Sequence, residues 1–411
     1  MSINQNFPSV RPSLNLNFAR SKKLDSRITF TRGSTGTYVD DNGLIRTAGI
    51  NEPRFDHDPT SLRSLGLLIE ESRANLLQYS QALATSPWGT FSGGGFSVSN
   101  NATVSPDGTS NASQINANPA SGGDSVYQDV SVSGTGTYTL SIFVKGNTSN
   151  SITFAAFFIS NSIQGFSFGY NPLTGQITGT SGGSNHTVVQ YPNGWYRIYF
   201  TVTGTNALNN ALRFQVYAES SGITYLWGAQ LEAGRHATSL IPTSGSTATR
   251  SADFASLTGT NFSSWFNPTE GTTLVSYDKY YQQTQFDIPL YPMSFVIGGW
   301  PTRIMYGDFG GVFQVMNVVI SESYQADLYG SSTRPTNTTL KFIGTYREND
   351  FAAIGTERVL YTDTSGSVPT GLTSATIGNE GNSATLLNGH IEKIAYYPKR
   401  LTNIQLQELT K

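Results

Sequence analysis

The sequence predicts an all-β chain: an N-terminal docking segment, two jelly-roll β-sandwiches and a short C-terminal helix. Three observations carry that prediction. Gly accounts for 42 of 411 residues and Ser, Thr and Asn are abundant, whereas charged residues make up 13%, about half the usual share. Aromatic residues reach 12%, too many for a chain disordered by composition. Apolar side chains recur at every second position in short runs between Gly/Asn/Ser/Pro clusters, which is the period of a half-buried strand.

Residues 1–76 form the opening segment. Leu14, Leu16 and Phe18 alternate, as do Ile28 and Phe30, giving two short strands. Thr37-Tyr38-Val39 and Leu44-Ile45 flank Asp40-Asp41-Asn42-Gly43, a hairpin signal because Gly takes a positive φ at little cost. Pro53-Arg54-Phe55 and the apolar run Gly66–Ile69 follow. So short a segment cannot bury a large core alone. It is expected to pack against the next domain or a neighbouring subunit, with Leu14, Leu16, Phe18, Phe30 and Phe55 as candidate docking residues.

Residues 77–242 read as the first sandwich. Tyr138, Leu140, Ile142 and Val144 alternate with polar or opposite-facing neighbours, as do Tyr196, Ile198, Phe200 and Val202, and then Leu212, Phe214 and Val216. Its closing strand starts at Thr224, with Tyr225, Trp227, Ala229 and Leu231 on one face and Leu226, Gly228 and Gln230 on the other. Trp195 and Trp227 are expected between the sheets, where a sandwich needs bulk. Trp88, between Pro87 and Gly89, is expected near the surface. Ile241-Pro242 forces an extended exit, and residues 243–253 read as a linker.

Residues 254–411 read as the second sandwich, with short apolar runs such as Met293–Ile297, Ile304–Tyr306 and Leu340–Ile343 between polar turns. Asn388-Gly389 is a turn into a last strand on which Ile391 and Lys393 oppose Glu392 and Ile394. Pro398 leads into the helix, where Thr402 as N-cap and Gln405 three residues on make a capping box, with Leu401 and Leu406 as its staple.

Several of these stretches carry a resemblance. Ile28–Asp40 with Gly43-Leu44-Ile45, Pro53-Arg54-Phe55-Asp56 and Gly66–Leu76 resemble the leader of bacteriophage virion proteins of the tail-fibre and head-fibre kind. Leu226–Gly234, Ile241-Pro242-Thr243 and Thr249–Asp253 are similar to the end of the carbohydrate-binding-like jelly roll that follows such a leader. The closing strand and helix resemble concanavalin-like or laminin-G-like domains. The resemblance implies a virion structural protein that docks through its N-terminus and displays its sandwiches for host attachment. Other virion proteins and its own copies, as a homotrimer, would be its partners. A capsid decoration or cement protein, and a carbohydrate-active enzyme or lectin, are the alternatives.

Little in the chain points to reactive chemistry, and it is not expected to be an enzyme. There is no cysteine, so neither a disulfide framework nor a thiolate site. The four histidines lie apart, and no His-Glu-x-x-His supports a metal. Gly179-Thr-Ser-Gly-Gly183 matches a nucleophile-elbow pattern but sits in a Gly/Ser/Asn stretch where no helix follows. Acids such as Glu232, Asp253, Asp278 and Asp308 are available for glycoside hydrolysis, yet their spacing places no pair. No cofactor is expected. Laminin-G-like domains hold calcium, but no ligands are assignable here, and Asp40–Gly43 lacks the spacing of a calcium loop. A net charge of −2 without a basic run excludes a nucleic-acid partner. No apolar run nears membrane-spanning length and no signal peptide opens the chain, so the expected location is the virion after synthesis in the host cytoplasm.

The remaining site is a glycan platform, since sugar faces stack on exposed aromatic rings beside amides and acids. Tyr277, Asp278, Tyr280, Tyr281 and Gln283 gather three rings, an acid and an amide in one polar stretch, and Trp88 is a further candidate. A tyrosine-rich subunit contact is the competing reading of the same stretch.

Overall fold

The computed structural model describes residues 7–118, 123–159, 164–182, 185–280, 290–297, 301–309, 313–330, 338–380 and 386–411. Strands account for 52% of the chain and helices for 5%, so the molecule is all-β. Two sandwiches are present, and the opening segment is woven into the second of them.

In the first sandwich one sheet runs, edge to edge, Asn185–Gln190, Tyr196–Thr203, Thr137–Gly146, Gly222–Ala233, Ala112–Ala117 and Phe96–Thr103. The other runs Gln176–Ser181, Gln164–Asn171, Ile152–Ile159, Ala211–Ala218, Ser125–Ser131 and Gly89–Phe91. The alternating residues Leu140, Ile142, Ile198, Phe200, Leu212, Phe214 and Val216 all enter the core between these sheets. Gly179-Thr-Ser181 belongs to an edge strand with an exposed Ser181, which is no setting for a nucleophile elbow.

The second sandwich takes strands from both ends of the chain. Leu14–Asn17 pairs antiparallel with the closing strand Gly389–Tyr397, which also pairs with Ser64–Ile69, and Phe55–His57 lies outside that. Thr29–Thr31 pairs with Phe254–Thr258 in the opposite sheet. The candidate docking residues are therefore occupied by the chain itself. Leu14, Leu16, Phe18 and Phe30 are buried in the second core, and Phe55 packs against it. An apolar strand with bare backbone groups needs a sheet edge, and the chain's own C-terminal sandwich supplies one, so these five residues are not a free attachment surface.

Two faces differ from the simple alternation. Gly228 has φ +62°, and the pairing of Thr137–Gly146 with Gly222–Ala233 shifts register between Ser141 and Phe143. This bulge moves Ala229 and Leu231 to the face of Leu226, between the sheets, and leaves Trp227 on the opposite face. Trp227 and Trp195 consequently fill a separate cluster with Val39, Ile45, Phe143 and Leu240, outside the sandwich core. The hairpin of Gly36–Val39 and Ile45–Ala48 covers it. On the closing strand a register shift opposite Ser276/Tyr277 brings Ile391 and Ile394 to the same core.

The helix Asn403–Leu409 carries the expected capping box at Thr402 and Gln405, and Leu401 and Leu406 share one buried cluster. Among the described residues no helix is long and apolar enough to cross a membrane.

Where the expected linker runs, the chain is pinned. Ala248–Arg250 pairs with Arg73–Asn75, and beneath that pair lies a buried ionic cluster. Asp253 accepts from Arg54 at 2.5 Å and Arg32 at 3.1 Å, while Glu70 sits 2.7 Å from Arg54 and 3.1 Å from Arg250. All five side chains are at most 1% exposed. Glu232, also buried, reaches Arg250 through the Thr238 hydroxyl, which balances three guanidinium groups with three carboxylates. Asn75 ties the same place to the first sandwich through the carbonyls of Ala229 and Ile241.

Candidate functional site

The outward face of the second sheet of the first sandwich is built by period 2. On Ala211–Ala218, Leu212, Phe214 and Val216 point into the core, so Arg213, Gln215 and Tyr217 point out. Register sets them in rows with the neighbouring strands. Phe157, Arg213 and Asp129 form one row, and Ala155, Gln215 and Tyr127 the next. Thr153, Tyr217, Ser125 and Phe91 form a third. Gln215 thus lies in the middle, between the rows of Arg213 and Tyr217. The result is an open trough of about 540 Å³ lined by Phe91, Phe157, Ile159, Arg213, Gln215 and Tyr217, with Ser92, Gly93 and Gly123 at one end.

Its polar and aromatic groups are fixed by neighbours. Phe91, 43% exposed, stacks on Tyr127 at 4.6 Å between ring centroids and 18° between planes. Arg213 donates two hydrogen bonds to Asp129, Nε at 2.7 Å and Nη2 at 2.8 Å, and its guanidinium carbon lies 4.1 Å from the Tyr127 centroid. The Asp129 hydrogen bond is also the main cause that raises the Arg213 pKa, and the pair is electrically neutral as a unit. Buried Gln215 donates to the Ser125 hydroxyl at 2.7 Å and makes a floor. Asp124 accepts from the Gly93 amide at 2.8 Å and holds the rim. Pre-set rings and a pre-set fork lose little freedom when a ligand arrives. A shallow face of this kind can stack an apolar sugar face and hydrogen-bond its edge.

The residues singled out in the sequence lie elsewhere. Tyr277 is 1% exposed in the second core, its hydroxyl donating to Asp308 at 2.5 Å and accepting from Gln314 at 3.0 Å, so it offers no platform. Trp88 is 7% exposed, with its indole N–H donated to the Gln78 carbonyl and its ring 6.3 Å from Phe214. It closes one end of the first core and is not at the surface. Tyr281 and Gln283 lie outside the described residues. Asp278 and Tyr280 are brought together, at the junction of all three parts of the chain and not on an open face. The Phe91 trough was missed because outward residues of a strand carry no pattern of their own, although the opposite phase to Leu212-Phe214-Val216 marks Arg213, Gln215 and Tyr217.

At the junction His390 stands between two acids. Its Nδ1 is 2.8 Å from Asp278 and its Nε2 3.0 Å from Asp56, and the Tyr280 hydroxyl is 3.3 Å from Nε2. Burial alone would favour a neutral ring, but Asp278 and then Asp56 outweigh it and raise the pKa to about 10. Both nitrogens donate, so this imidazolium has no lone pair for general-base work. It cross-links the opening segment to the second sandwich. Among the described residues no group of three or more His, Asp or Glu side chains is placed to hold a metal.

No protein-family model and no curated protein matches this sequence. Solved structures with partial likeness include the CBM40 module of the Ruminococcus gnavus IT-sialidase bound to α2,3-sialyllactose. It is 13% identical, with 35% of this chain and 84% of that chain covered at a TM-score of 0.30. Domain 4 of an extracellular GH43 arabinanase from Geobacillus stearothermophilus, in complex with arabinotriose, is 12% identical over 43% and 81% of the two chains, with a TM-score of 0.27. Domains LG4-5 of the mouse laminin α1 chain are 6% identical over 66% and 84%, with a TM-score of 0.24. Likenesses this partial assign neither a family nor a ligand.

Proposed function

We propose that this chain is a glycan-binding structural protein whose ligand lies in the Phe91 trough of the first sandwich. The observation that carries the reading is the exposed, stacked Phe91–Tyr127 pair beside an Arg213 fork locked on Asp129, in an open trough floored by Gln215. The leader motifs support setting it on a phage virion, as a fibre or appendage subunit that meets host-surface glycan, with other virion proteins and its own copies as partners. Those partners must be met by surfaces other than Leu14, Leu16, Phe18, Phe30 and Phe55, which the fold has used.

A glycan array probed with the full chain and with Phe91→Ala tests the ligand. The expected result is a set of oligosaccharides bound by the parent and weakened roughly tenfold or more by the variant, the loss of about 1.4 kcal/mol from one stacking ring, with an unchanged melting temperature. An empty array, or one the variant binds equally, rejects the trough. Labelling the assembled particle with antibody to this chain tests the setting.

A further inference from the structure

A second cavity, of about 260 Å³, opens where the opening segment, the first sandwich and the second sandwich meet. Its walls come from the hairpin residue Tyr38, from Asp56 to Arg63, from Tyr191, Arg197 and Tyr199 on the first sandwich, and from Asp278, Tyr280 and His390 on the second. It exists only when the three parts are assembled.

The charges on its walls cancel. Asp56, Asp58 and Asp278 oppose Arg63, Arg197 and the His390 imidazolium, three against three. An ion gains nothing net from such a lining. His57, 4% exposed, donates from Nδ1 to the Val39 carbonyl at 3.0 Å, which fixes its ring in the wall. Arg197 is held in the wall by Nη2 hydrogen bonds to the Ser141 hydroxyl and the Thr238 carbonyl. Tyr38, Tyr191, Tyr199 and Tyr280 add rings with polar tips.

We infer that this cavity binds one neutral monosaccharide ring, as a site distinct from the trough. Hydroxyl groups both donate and accept, so a sugar can answer interleaved donors and acceptors at zero net charge, and its apolar face suits tyrosine. The volume is below the roughly 300–1,000 Å³ typical of drug-sized pockets and suits a single small ring. The inference does not rest on the trough.

The test is titration of the full chain with D-glucose, D-galactose, D-mannose and N-acetyl-D-glucosamine separately, read by calorimetry and by the imidazole nitrogen signals of His57. At least one sugar is expected to saturate one site and shift the His57 signals. Ala237→Trp and Val189→Trp, which fill the cavity from two different segments, are expected to weaken it at least tenfold without lowering the melting temperature. Phe91→Ala is expected to leave monosaccharide binding intact. The inference is overturned if none of the four sugars binds, or if one binds while the His57 signals stay still. Loss of monosaccharide binding in Phe91→Ala also overturns it, by placing the ligand in the trough. Failure of oligosaccharide binding at the trough, with the cavity still saturable, would reject the proposed function and leave this site standing.

Discussion

Asp253 holds Arg32, Arg54 and the backbone amide of Glu70 at once, and each donor belongs to a segment distant from it in the sequence. Removing one member of a buried ion cluster leaves the others buried and uncompensated. Asp253→Asn or Glu70→Gln should therefore cost about 3–5 kcal/mol in urea unfolding, whereas exchanging the exposed Lys22–Asp41 pair should change little. The cluster also sets the acid limit. Burial raises the Glu70 pKa, but Arg250 and Arg54 more than offset this and hold it well below 4.5. Its contribution is present above that value and is lost as the pH falls below it. His390 acts in the opposite sense. Raised from 6.5 to about 10, it contributes fully below pH 6.5 and loses that contribution as the pH climbs through 10. Melting curves from pH 6 to 9, below the range in which the buried tyrosines contribute, should show the parent declining on the order of a few kcal/mol and His390→Gln, already weaker, running nearly flat. A parallel decline in the variant would contradict the imidazolium. None of these partners was legible as a pair, because their spacings exceed any local pattern. The motif residues Arg54, Glu70, Arg250 and Asp253 were visible only as the resemblance, and the fold shows what they share.

At the scale of elements, strand alternation reads which residues share a face but not what that face meets. It identified the inner rows of Thr137–Gly146, Tyr196–Thr203 and Ala211–Ala218 correctly. It put Trp227 on the wrong side, because a single positive-φ glycine resets the phase. Gly228→Val should strain that bulge and push the new side chain into Phe143, which a Cβ would already meet at 3.0 Å. Gly66 is tighter still, with φ +101° and a Cβ that would lie 2.3 Å from the Ile391 carbonyl oxygen. Strands with few large residues, among them Phe96–Thr103 and Gln176–Ser181, escaped the reading because their exposed sheet edges need no apolar row. The opening segment was understood as too short to stand alone, and the fold confirms that it buries Leu14, Leu16, Phe18 and Phe30. Those four side chains are worth roughly 6–12 kcal/mol by burial. A chain lacking residues 1–31, which carry those four side chains and leave the hairpin over Trp195 and Trp227 in place, should therefore lose the unfolding transition of the second sandwich and keep that of the first, as read by calorimetry. Retention of both transitions would show that the segment is dispensable to the core.

For the molecule as a whole, composition was enough for the fold class, since abundant turn residues with many aromatics leave few alternatives to sheets. It was not enough for the ligand face. Tyr277 and Trp88 were chosen for their chemistry, and both proved to be core, because a large ring on a sandwich strand meets the opposite sheet more often than solvent. Phe91 escaped notice although it ends a short strand and precedes a run of small residues, and the fold alone shows that Tyr127 supports it. The architecture keeps the trough away from the junction, so binding there should leave the packing between the sandwiches unchanged. The most direct test of that account is a crystal structure of the full chain grown with the oligosaccharide that binds best on the array. Sugar density lying over Phe91 and Phe157, within hydrogen-bond reach of Arg213, is the predicted result. Density confined to the second sandwich, or none in the trough at saturating ligand, would contradict it.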